Sequence, residues 1–144
     1  VGAFIENPHI LEGSLENYYK FSVVRNPWER MVSFYCYTFP SMSQKVDPKH
    51  FLSHGLSKNM PSMLDYISYD KEIQMDKIIR YETLDVEFSE VCSHLSIPFK
   101  TLELTNVSKH PHYSYFYNQE SLDLIEKIYK NDIDSFGYSF DSEP

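Results

Sequence analysis

Arg25 and Ser33 are the pair whose types and spacing could do chemistry. Arg25 closes the run Tyr19-Lys-Phe-Ser-Val-Val-Arg25, and Ser33 lies inside the helical pattern that follows it. A guanidinium offers a planar fork of donors, a hydroxyl adds one more, and a helix N-terminus favours negative charge. Converging, they would form a phosphate pocket. The competing reading from spacing alone is a surface ion pair at Arg25 and an incidental serine at Ser33.

The surrounding elements have to hold that pair. In Tyr19 to Arg25, apolar Tyr19, Phe21 and Val23 alternate with Lys20 and Ser22, which predicts a central strand. Asn26-Pro27 then supplies an N-cap and a first helical residue. Trp28, Met31, Val32, Tyr35, Cys36 and Phe39 fall on one helical stripe that ends before Pro40, with Ser33 off the core face. Arg30 is expected in a structural ion pair with Glu29 or Glu82. Pro48 to His54 and Pro61 to Tyr69 are expected to hold short helices. Lys77 to Tyr81 reads as a second strand; Leu84 follows, and then Phe88, Val91, Cys92 and Leu95 mark a helix stopped at Ile97-Pro98. Thr101 to Tyr117 reads as a loop. Asn118 caps a third helix with Leu122, Ile125, Ile128 and Tyr129 turned inward, and Phe136 to Phe140 is an aromatic tail expected to pack back. Strand-helix followed by strand-helix predicts an α/β fold with a parallel sheet covered by helices. Ligands of such folds sit where strands end and helices begin.

Composition excludes several classes. With 42% hydrophobic and 16% aromatic residues among 144, the chain is not intrinsically disordered. Four glycines exclude a collagen-like chain. No apolar run reaches the roughly 20 residues that span a bilayer, and no basic-then-apolar leader opens the chain, so neither a membrane segment nor a signal peptide is expected. Thirteen Lys and Arg against 21 Asp and Glu give a net charge of −8, a poor match for nucleic acid. The acids concentrate after Asn118, while Lys20, Arg25 and Arg30 form a basic island that suits one specific anion. Cys36 and Cys92 are too few for a disulfide framework and read as reduced thiols, with a single bridge as the alternative. No spacing suits a zinc site.

The segment Phe21-Ser-Val-Val-Arg-Asn-Pro-Trp-Glu-Arg-Met-Val-Ser33-Phe-Tyr resembles the 3′-phosphate-binding segment of sulfotransferases that use 3′-phosphoadenosine 5′-phosphosulfate, most closely the carbohydrate-type family. Ile79-Arg-Tyr-Glu-Thr-Leu84, Phe88 to Ile97, Leu104 to Tyr113 and Tyr129 to Phe140 resemble further segments of that family, so the likeness runs from about Tyr19 to Phe140.

The resemblance implies a P-loop-like, three-layer parallel sheet flanked by helices, and a nucleotide donor with a carbohydrate hydroxyl as acceptor. It carries the phosphate-binding roles to Arg25 and Ser33, adenine contact to Tyr81, and closure over the 3′-phosphate to the loop holding Lys109, His110 and His112. It makes His9 the candidate catalytic base, with Glu6 as rival, and asks for no metal. Asn106-Val-Ser108 falls inside the matched pattern, so no glycan is expected there. The 144 residues contain no segment resembling the family's P-K-[TA]-G-[GT]-[TS]-[ST] loop, and the chain opens with Val1. The expectation is therefore one partial domain over 1–144, lacking the strand-loop-helix that grips the 5′-phosphosulfate and inactive by itself. The alternative is a non-catalytic module that binds 3′-phosphoadenosine nucleotides or a protein partner. A cytoplasmic location is expected, or the Golgi lumen for a piece of a eukaryotic enzyme.

Overall fold

The computed structural model describes residues 17–39, 47–54, 60–103 and 110–141. The chain divides into two compact units, Val1–Val24 with Ser62–Leu102 and Arg25–Pro61 with Glu103–Pro144.

The first unit is built on β1 (Phe21–Val24) and β4 (Lys77–Arg80), which pair in parallel with Phe21 opposite Lys77 and Val24 opposite Arg80. The register is set just before the strands begin. The Lys20 backbone N–H donates to Asp76 Oδ2 at 2.7 Å, the Lys20 ammonium lies 3.2 Å from the same oxygen, and the Asp76 N–H donates to the Lys20 carbonyl at 2.7 Å. These bonds hold the Asp76 carboxyl below the usual carboxylate range, the Lys20 backbone N–H contributing most. Both strands are shorter than the sequence pattern predicts: Tyr19 and Arg25 lie outside β1, and Tyr81 begins a 3₁₀ turn instead of ending β4.

That turn (Tyr81–Thr83) leads into α4 (Leu84–His94), which packs on β4. Phe88 bridges Phe21 and Phe99 with ring centroids 5.9 and 6.4 Å apart. Val24, Ile67, Ile79, Val91 and Cys92 are buried. Leu95, expected on the buried stripe, instead follows the last helical turn and is 40% exposed. There Ser96 takes a left-handed φ of 56°, which lets the Ile97 N–H reach back to the Cys92 carbonyl at 3.0 Å.

Between the strands, α3 (Met63–Ile67) starts in a reciprocal capping box of Ser62 and Asp65. A hairpin of β2 (Ser68–Tyr69) and β3 (Glu72–Ile73) follows, turned by Asp70 and Lys71 at φ 49° and 67°. Two left-handed central residues give the turn whose twist suits a two-residue hairpin.

In the second unit α1 (Pro27–Thr38) packs against α2 (Pro48–His54), the 3₁₀ turn Tyr113–Phe116 and α5 (Gln119–Ile128). Its stripe of Trp28, Met31, Val32 and Tyr35 joins Phe51, Leu52, Tyr113, Tyr117, Ile125 and Tyr129 in one core. The third helix does not run on. Tyr129 leaves helical geometry at ψ 23°, and α6 (Lys130–Phe136) begins after it. Gly137, at φ 64°, ends α6 in the left-handed conformation that glycine adopts without a Cβ clash. The aromatic tail packs back as expected. Phe140 meets Trp28, Tyr113 and Tyr117 edge-on at 5.5 to 5.7 Å. The two cysteines do not form a disulfide; Cys92 is buried and Cys36 half-buried. No helix among the described residues is long and apolar enough to cross a membrane.

Candidate functional site

Asn26 organises the end of α1 that faces Arg25. Its Oδ1 accepts the Trp28 N–H at 3.0 Å and the Glu29 N–H at 3.3 Å, while its own carbonyl accepts the Arg30 N–H at 2.8 Å. Pro27 has no N–H to offer. The first-turn amides are therefore already used. This changes the expected role of the helix end: its dipole remains, but open amides for an anion do not. The Asn26 Nδ2 donates to the Ser139 carbonyl at 3.2 Å, which ties the aromatic tail to the helix start.

Arg25 directly follows β1, one residue before that cap. Its Nη2 donates to Glu29 Oε1 at 3.0 Å, with the two side chains 20% and 28% exposed. Arg25 thus grips a carboxylate, the chemistry it would use on a phosphate. Ser33 lies one turn beyond Glu29, half-buried beside the buried Val32. In sequence Glu29 stands four residues from each of Arg25 and Ser33.

Arg30 is 9% exposed and departs from the expected pairing with a glutamate. Its Nη2 donates to the Pro61 carbonyl at 3.0 Å, and its guanidinium lies 4.8 Å from the Tyr129 ring centroid. A carbonyl and an aromatic face can hold a buried guanidinium without a second ion, and sequence spacing carries no signal for either.

Tyr81 belongs to the first unit, where it opens the 3₁₀ turn at 43% exposure. Of the loop expected to close over a phosphate, His110 and His112 are described. His112 Nδ1 lies 2.8 Å from the Ser114 hydroxyl and caps the following turn, and the His110 ring meets Phe116 edge-on at 5.7 Å. Glu6, His9, Asn106, Ser108 and Lys109 lie outside the described residues. Tyr117 escaped notice in the sequence. Its buried hydroxyl donates to the Trp28 carbonyl at 2.8 Å, and burial pushes its phenol well above the usual tyrosine range. Among the described residues no three His, Cys, Asp or Glu side chains gather as metal ligands.

Residues 4–139 match the family model described as "Sulfotransferase family". Neither curated proteins nor solved structures yield a match to the chain.

Proposed function

The chain belongs to the sulfotransferase family, and from that premise we propose that Arg25 and Ser33 bind the 3′-phosphate of 3′-phosphoadenosine 5′-phosphosulfate. The observation that carries the reading is the half-buried Arg25 guanidinium at the strand-to-helix junction. It already holds an oxyanion at 3.0 Å, with Ser33 in the second turn of the helix that follows. The nucleotide supplies the sulfuryl group. What the chain's own residues do is orient it: Arg25 gives two parallel donors to one phosphate, and Ser33 adds a hydroxyl. The capped amides leave those side chains to carry the binding. We assign Tyr81 to the adenine, Lys109 to the loop that closes over the 3′-phosphate, and His9 as the base that takes the acceptor's proton.

The reaction is sulfuryl transfer to a hydroxyl, and we propose a carbohydrate acceptor on a P-loop-like three-layer sheet. A net charge of −8, with the bases near the nucleotide site, favours a neutral or weakly anionic glycan. Competition at low salt between heparin and a neutral oligosaccharide tests this. Tight, steeply salt-dependent heparin binding would contradict it.

The test of the site is calorimetry with adenosine 3′,5′-bisphosphate. R25A removes a charge-assisted, bidentate contact and is expected to weaken binding by about 2–4 kcal/mol. S33A removes one neutral hydrogen bond and is expected to cost about 1 kcal/mol. Unchanged affinity in both variants overturns the assignment and leaves a non-catalytic module as the better reading.

A further inference from the structure

Arg25 holds a carboxylate from its own chain, that of Glu29, whose position in the sequence is midway between Arg25 and Ser33. We infer that Glu29 is a displaceable internal anion: it pairs with the Arg25 guanidinium and is exchanged for an incoming phosphate. The inference rests on the proposed role of Arg25 and deepens it.

Three observations lead there. The Arg25–Glu29 bond is 3.0 Å long and both side chains are mostly shielded, so the pair is formed and water screens it incompletely. The first-turn amides are bonded to Asn26, so an anion reaching this helix end depends on Arg25 for its main contact. Helical Cβ atoms tilt toward the N-terminus, which leans the Glu29 side chain toward Arg25 and away from Ser33. A phosphate bound by Arg25 therefore takes the Glu29 carboxylate's place on the guanidinium.

Exchange has two consequences. The pair keeps Arg25 oriented before ligand arrives, which lowers the ordering that binding requires. It also sets a threshold. A phosphate monoester, with up to two charges and three acceptor oxygens, outcompetes one carboxylate, whereas a monoanionic carboxylate ligand does not.

The experiment is calorimetric titration of adenosine 3′,5′-bisphosphate into wild type, E29Q, R25Q and the double variant. Gln keeps the side chain's length and removes the competing charge. E29Q is expected to bind about two- to fivefold tighter, the fold-change that breaking one partly exposed ion pair produces. In the R25Q background the same change is expected to give no gain, because nothing is left to release. A purely structural role for Glu29 would weaken binding instead. Equal or weaker binding by E29Q, or a gain that persists without Arg25, overturns the exchange. If R25Q loses affinity while E29Q gains none, the phosphate assignment stands and the exchange falls. If R25Q binds as wild type does, both fall.

Discussion

Replacing Asn26 by alanine tests the local structure on which the site depends. Asn26 is 8% exposed, and its side chain accepts from the Trp28 and Glu29 amides and donates to the Ser139 carbonyl. Loss of an asparagine N-cap costs about 1 kcal/mol, toward 2 where the freed amides are shielded from water. Trp28 is 4% exposed, so its amide has little water to turn to. The bond to Ser139 adds about 0.5 kcal/mol, at the low end because Ser139 is exposed and its carbonyl can rehydrate. N26A is therefore expected to lose about 2 kcal/mol, and roughly 5 °C in Tm for a chain of this size. N26D keeps the acceptor for the first-turn amides and loses the donor to Ser139, so it is expected within about 1 kcal/mol of wild type. Trp28 is the single tryptophan and sits inside the capped turn, so its fluorescence during urea unfolding reads this region directly. An N26A loss below about 0.5 kcal/mol, the ordinary range of surface substitutions, would refute the capping argument.

The buried Tyr117 phenol is neutral in the folded chain, whereas an unfolded tyrosine ionises near 10.0. Above that pH the unfolded chain holds fewer protons than the folded one, so stability is intact below it and falls as pH rises beyond it. Burial pushes Tyr113 and Tyr35 in the same direction. Alkaline titration followed by tyrosinate absorbance and circular dichroism is expected to show late ionisation coupled to unfolding, with Y117F unfolding at higher pH than wild type. Ser96 sits at φ 56° where glycine is at ease, so S96G is expected to raise stability by up to about 1 kcal/mol in urea unfolding. A loss would show that Ser96 makes compensating contacts.

The parts of the fold legible in the sequence are those set by local rules. The Asn26-Pro27 cap, the α1 stripe and the Asn118 cap of α5 each follow from residues a few positions apart, and each is present, whereas burial in β1 does not alternate: Phe21 is exposed and Val24 is buried. The parallel pairing of β1 with β4 follows from the helical stretches that separate them. What escaped depends on tertiary geometry. The Asp70-Lys71 hairpin lacks the Asn-Gly or Asp-Gly signature, and Lys71 adopts a left-handed φ against its preference. The break at Tyr129 falls where no Gly or Pro marks it. Tyr129 is 1% exposed, and its hydroxyl donates to the Met60 carbonyl at 3.0 Å, a contact 69 residues away in sequence. Arg30 found a carbonyl and a ring in place of a glutamate.

Residue types nominate the proposed site, and its electrostatics are not in the sequence. Arg25 and Ser33 could be named from spacing and resemblance. The Glu29 pairing and the capping of the first-turn amides required coordinates, because one asparagine side chain can turn toward the helix it starts or toward an incoming anion.

The central claim is that Arg25 recognises a 3′-phosphate, and comparing two nucleotides tests it most directly. Adenosine 3′,5′-bisphosphate and adenosine 5′-monophosphate share the adenosine and its 5′-phosphate and differ in the 3′-phosphate, so their affinity ratio isolates that group. Calorimetry on wild type is expected to favour the bisphosphate by tenfold or more, about 1.4 kcal/mol for each factor of ten. R25A is expected to bring the ratio close to one while leaving affinity for the monophosphate nearly unchanged. Retention of the full preference in R25A would contradict the account.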